Sequence, residues 1–315
     1  MNMRQTQPIR SAPRRAGLTL LELTVVLAIL VTLTAVVVQS TDQLIDPSRR
    51  EASVRLLSEL DAAVLGAAGA REPDGTPLVT GFVADIGRRP LAVGAAATTQ
   101  LVELWENAGG LPTFTLAAPA GDAEVRVGAG WRGPYLRLPL GAAELRDGWG
   151  RPLELLRADG VTELVSGDAL SIARSLGSDE LSGGTGYGVD LDAVLERSAS
   201  PAVPARDVGS LAGSVSFQQA GDPPLVANGG FVVVRVYGPR EGVAATLAQA
   251  VLPVGAEPPA FIFNGLPIGP RVVRAYQVAA APASEDEELS GSAIRSAVVR
   301  VVLTAGGQSK DLLLR

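Results

Sequence analysis

Two aspartates, Asp179 and Asp190, bracket a stretch in which glycine recurs at 183, 184, 186 and 188. That pattern suits a hard divalent cation. Calcium takes about 6–8 oxygens from carboxylates, backbone carbonyls and water on a flexible loop. Glycines let the backbone fold back and present its carbonyls. Asp179 and Asp190 would supply charge, and Leu176 and Ser178 could add oxygens. The same residues also suit a solvated Gly/Ser loop with two surface aspartates. A phosphate loop is set aside, because no lysine follows the glycines and no strand–glycine–helix context surrounds them.

Little other chemistry is open to the chain. Its 315 residues contain no cysteine and no histidine. Disulfides, thiolate or imidazole zinc sites, cysteine nucleophiles and a Ser-His-Asp relay are therefore excluded. Carboxylates, Lys310, tyrosines and hydroxyls remain, and no paired-acid motif supports a membrane-tethered hydrolase, so the chain reads as a non-enzyme. The 27 basic and 33 acidic residues give a net charge of −6. Arg4, Arg10, Arg14 and Arg15 all precede residue 18, which leaves an acidic body that is a poor match for nucleic acid.

Residues 18–38 form a run of 21 residues with one charge, Glu22. As a helix the run would measure roughly 31 Å, the thickness of a bilayer's hydrocarbon core. The arginines before it place the amino terminus in the cytoplasm and the body outside it. The run is longer than the apolar segment of a secretory signal peptide, and residues 38–41 are a poor cleavage site of that kind. A bare anchor would leave Glu22 unexplained, because a carboxylate in such a segment is costly and asks for a partner.

The stretch Arg14-Arg15-Ala16-Gly17-Leu18-Thr19-Leu20-Leu21-Glu22 resembles the class III signal of type IV pilins and type II secretion pseudopilins. The resemblance implies cleavage by a prepilin peptidase between Gly17 and Leu18, then N-methylation of Leu18, where most members carry phenylalanine. It also implies that Glu22 pairs with the amine of a neighbouring subunit during assembly. Further along, Gly133-Pro134-Tyr135-Leu136, Asp147-Gly148-Trp149-Gly150-Arg151-Pro152 and the segment from Ser175 to Leu191 look like successive elements of the major pseudopilin of type II secretion. By that resemblance the last segment is a calcium loop, with the Leu176 carbonyl, Asp179 and Asp190 at the matching positions. The family usually has an acid where this chain has Gly188.

The elements that must hold these residues follow from pattern. Val54, Leu57, Leu60, Ala63 or Val64, and Ala67 recur every three or four residues, so residues 48–70 extend the helix in amphipathic form. Trp131, Tyr135 and Trp149 read as packing residues, and Asp147 as the start of a turn. Residues 71–130 carry no functional signal. After a Pro/Ala/Ser linker at 198–206, about six strand-like runs suggest a small sandwich. Within it, Phe261 to Ala275 resembles the signature of carboxypeptidase regulatory-like, transthyretin-type domains, read as a strand, a Gly-Leu-Pro-x-Gly turn and a partner strand.

The expectation is therefore an α+β chain with five parts. Residues 1–17 are a cleaved leader, 18–70 a transmembrane and amphipathic helix, and 71–197 a small antiparallel-sheet head. Residues 198–206 are the linker and 207–315 a β-sandwich. The implied function is a structural subunit of a type II secretion pseudopilus or type IV pilus-like filament that supports protein export. The alternative is a prepilin-processed surface-binding or tip protein whose sandwich recognises a partner. Implied partners are the prepilin peptidase, other pilin or pseudopilin subunits and an inner-membrane assembly platform. The implied location is the inner membrane, single-pass, with a periplasmic body, and calcium is the one implied cofactor.

Overall fold

The computed structural model describes residues 20–94, 100–196, 198, 204–217, 230–255, 258–289 and 294–314, without the side chains of 35–44. The elements in chain order are α1 (Leu20–Leu65), α2 (Phe82–Ile86), β1 (Thr115–Ala117), β2 (Val127–Ala129), β3 (Glu154–Leu156), β4 (Ile172–Ser175) and β5 (Leu191–Val194). They continue with β6 (Val208–Phe217), β7 (Phe231–Arg240), β8 (Val243–Pro253), β9 (Ala260–Pro267), β10 (Gly269–Val278), β11 (Ile294–Arg295), β12 (Val299–Leu303), β13 (Gln308–Ser309) and β14 (Leu312–Leu314). The chain divides into two compact units, Met1–Ser48 and Arg49–Arg315.

In the first unit, the described apolar side chains of α1 are exposed, from Leu20 at 82% to Leu33 at 56%. Its hydroxyls are satisfied by the helix itself. Thr24 donates to the Leu21 carbonyl at 2.8 Å, and Thr34 to that of Leu30 at 2.6 Å. Such i−3 and i−4 bonds leave no polar atom of these side chains needing water.

The sequence expectation is corrected here. Among the described residues no helix is long and apolar enough to cross a membrane. The transmembrane span, the single-pass inner-membrane location and the membrane-anchored pseudopilin plan built on them are therefore overturned. The α+β class also gives way to a mostly β chain in which strands outnumber helices and the main sheets form a sandwich.

In the second unit, Leu57, Leu60, Ala63 and Val64 of α1 are buried, with Phe82 and Ile86 of α2 and Leu101, Leu104, Leu155 and Leu170. Val54 and Ala67 are not part of that face: Val54 is 49% exposed, and α1 has already ended when the chain reaches Ala67. Gly66 turns the chain at φ +90, and a Cβ there would strike the Thr80 carbonyl, so only glycine fits the stop. Beside this core, β3, β4 and β5 form a three-stranded antiparallel sheet.

The sandwich has a five-stranded sheet, β11-β10-β7-β8 with β12 also on β10, and a four-stranded sheet, β13-β6-β14 with β9 on β6. The Gly-Leu-Pro-x-Gly turn does not join hairpin partners. β9 pairs with β6, whereas β10 pairs with β7 and β12, so the turn passes the chain from one sheet to the other. Val232, Val234 and Val236 of β7 face inward with Val273 and Ala275 of β10. The opposite face of the same strands carries Val233, Arg235, Tyr237, Val272, Arg274 and Tyr276, and it too is buried. A strand covered on both faces needs apolar residues at nearly every position, which accounts for the unbroken Phe231–Val234 run.

Candidate functional site

Gly17 and Leu18 lie outside the described residues. Glu22 lies in the first turn of α1, where the helix dipole favours a carboxylate, on the exposed apolar stretch.

The glycine loop gathers its two aspartates around one backbone segment. Asp190 Oδ2 accepts from the Gly183 N–H at 3.0 Å, and the Asp190 N–H donates to the Gly183 carbonyl at 3.2 Å. The Asp179 carboxylate lies against Gly184 and Gly188, and a Cβ on Gly188 would collide with it. The departure at 188 is thus steric, because glycine there makes room for Asp179. Asp190 Oδ1 is buried and has no hydrogen-bond partner.

Arginines tie the loop down from outside. Arg151 donates to the carbonyls of Gly177 at 2.7 Å and Ser178 at 3.2 Å, and Arg50 to that of Gly186 at 3.2 Å. The loop therefore holds Asp179 and Asp190, with one oxygen of Asp190 orphaned, while Glu180 pairs with Arg151 at 2.8 Å and three loop carbonyls already serve guanidinium groups. Among the described residues no cluster of three or more acidic side chains is placed to hold a metal. The residues that remain to hold calcium are Asp179, Asp190 and the carbonyl of Leu176. Asp147 closes a turn, accepting from the Trp149 and Arg151 N–H groups, and receives the buried Ser175 hydroxyl at 2.7 Å. Trp131 packs edge-on against Tyr135 and donates to the Glu103 carbonyl at 2.8 Å.

Residues 84–124, within the 71–130 stretch that carries no functional signal in the sequence, supply polar contacts to the sandwich. Arg235 and Arg274 stand directly opposite one another in the β7–β10 register. The Ala120–Val125 turn covers them. Asp122, fully buried, accepts from Arg274 at 2.8 Å and from the Tyr276 hydroxyl, which also meets the Tyr237 hydroxyl at 2.8 Å. Glu124 takes the other side of Arg274 at 2.9 Å and reaches Arg295 at 2.7 Å. Burial pushes the Asp122 carboxyl up, but hydrogen bonds from Tyr276, the Glu124 N–H and Arg274 outweigh it and hold the group below its ordinary value. Burial pushes the Tyr276 hydroxyl far above its usual range.

Among the described residues no carboxylate pairs with Arg235. It donates to Gln249 at 2.7 Å and to the carbonyls of Glu287 at 2.6 Å and Ser284 at 3.2 Å. Arg271, 1% exposed, likewise serves carbonyls, among them that of Ala84 in α2 at 3.1 Å, and burial lowers its pKa. Asp122, Arg235, Tyr237, Arg271, Arg274 and Tyr276 are buried, with Glu124 and Arg295 at an exposed rim, and their polar groups serve one another and nearby carbonyls as a joint. The sequence signal for this joint is arginine on both β7 and β10 at positions of one face, which a sheet buried on that face carries only with acids or carbonyls opposite.

No family model matches the chain, and neither the curated proteins nor the solved structures contain a match to it.

Proposed function

We propose that the chain is a structural subunit that assembles through the first turns of α1 into a pilus-like filament, after a prepilin peptidase removes residues 1–17 and methylates Leu18. The observation that carries this reading is the exposed run Leu20–Thr34. Its large apolar side chains are 50% exposed or more, and its threonine hydroxyls are turned back onto the helix. A contiguous apolar surface of that size marks an interaction site. Helices in neighbouring copies would bury it at about 25 cal/mol per Å². Glu22, one turn in, would meet the new amine of a neighbouring Leu18 in that packing.

The chain has no cysteine of its own, so a single introduced thiol reports cleanly. Leu27→Cys and Leu30→Cys, each made singly, are expected to give disulfide-linked dimers under mild oxidation, whereas Ser309→Cys in the sandwich gives none. Uniformly monomeric chains at both helix positions would reject the proposal.

The glycine loop is proposed as a calcium site within the same subunit, held by Asp179, Asp190 and the Leu176 carbonyl. The orphaned Asp190 Oδ1 supports it, because a buried carboxylate oxygen without a donor is costly unless a cation completes it.

A further inference from the structure

Apart from the glycine loop and the sandwich joint, the unit Arg49–Arg315 contains a cavity of about 220 Å³ whose floor includes Leu101, Trp105 and Leu153 and whose polar lining includes Glu144, Glu154 and Glu163. Glu144 pairs with Arg146. Glu154 and Glu163 have no hydrogen bond or ion pair to a cation among the described residues, although they lie close enough to repel each other. Burial pushes the Glu154 carboxyl above its ordinary value; Arg174 pulls the other way, and Glu163, Asp190 and Asp192 add to the rise. The nearby arginines are committed elsewhere, Arg174 to Asp192 at 2.8 Å and Arg157 to Asp168 at 2.8 Å. A fold that brings two carboxylates together over an apolar hollow without neutralising them is set up for a cation from outside.

We propose that this cavity receives the guanidinium of an arginine side chain presented by a partner polypeptide. Its volume is below the roughly 300–1,000 Å³ of small-molecule sites and suits a single side chain. The leucine floor would cover the methylene stem. A planar guanidinium can bridge two carboxylates with paired N–H donors and also lie against an indole, which an ammonium does less well. A hard metal ion, which takes about 6–8 oxygens, is poorly served, because among the described residues no three acidic side chains are grouped to hold one. The site does not depend on assembly through α1.

The test is a titration of the full chain followed by the indole N–H resonance of Trp105, identified by its loss in Trp105→Phe. The probes are N-acetyl-arginine amide and the neutral N-acetyl-norleucine amide. The arginine probe is expected to give a saturable shift with a dissociation constant of about 1 mM. Glu163→Gln should weaken it severalfold, and Glu154→Gln with Glu163→Gln about tenfold or more, with the melting temperature unchanged as proof that the fold is kept. Any of four results would overturn the proposal. These are no saturable shift with the arginine probe, equal binding of the norleucine probe, unchanged affinity in the folded double variant, or displacement of the arginine probe by calcium chloride at comparable concentration.

Discussion

Replacing Asp122 by alanine should loosen the joint between the Ala120–Val125 turn and the sandwich, and the structure sets the scale. Asp122 is fully buried and accepts from the Glu124 N–H at 2.8 Å, the Val125 N–H at 3.3 Å, Arg274 at 2.8 Å and Tyr276. Removing one half of a buried ion pair costs about 3–5 kcal/mol, because the other half is left uncompensated. Here Glu124 still holds the second side of Arg274, and Tyr276 still has Tyr237. The lower end, about 3 kcal/mol, is therefore expected. At about 2–4 °C per kcal/mol for a unit of this size, the melting temperature should fall by roughly 6–12 °C.

The assay is thermal and denaturant unfolding of the full chain, with Arg274→Met and the double variant completing a cycle. The double variant carries no stranded charge, so its loss should undershoot the sum of the singles by at least about 1 kcal/mol. Acid supplies a second check. The Asp122 carboxyl titrates below its ordinary value of 3.8 when folded. Its contribution is therefore complete above about pH 4 and fades as the pH falls through the lower folded value. The gap between wild type and Asp122→Ala should close in that window. A single-mutant cost under about 1 kcal/mol, or a cycle additive to within about 0.5 kcal/mol, would refute the joint as described.

Gly87 has φ +88, and a Cβ there would run into the Pro239 carbonyl, so Gly87→Ala should cost about 2–4 kcal/mol in the same melts. With millimolar calcium the melting temperature should rise relative to chelator by mass action; Asp190→Ala should abolish that rise, and equal wild-type midpoints would leave a plain loop. Gly188→Asp, which places the family's usual acid, should lower stability without improving the calcium response, because it displaces Asp179. Amino-terminal sequencing should find Leu18 first and methylated, and an intact leader would end that part of the proposal. Glu22→Ala should enter filaments less well than wild type when the two are co-expressed, and equal incorporation would show that Glu22 has no pairing role.

What could be read in advance was the local pattern. The three-to-four-residue spacing of Leu57, Leu60 and Ala63 marked the buried face of α1, and β-branched runs marked β7, β10 and β12. β8 carries no such run, because its Val243–Pro253 stretch is rich in alanine and its strand state comes from pairing with β7 along ten residue pairs. The glycine-rich stretch stands out in the sequence as a segment, but the reason for Gly188 does not. It depends on where the Asp179 carboxylate comes to rest, nine residues earlier in the chain.

Composition alone determined that no thiol or imidazole chemistry is available, and periodicity alone determined a helix followed by strands. Both are properties of residues close together in the chain, where spacing translates directly into a face. Only the tertiary structure decided what covers each face. Asp122 and Arg274 are 152 positions apart, and Ala84 and Arg271 are 187 apart, so no local pattern links them. Their pairing follows from the second face of the β7–β10 sheet, whose arginines could be buried only where the fold brought acids and carbonyls to meet them.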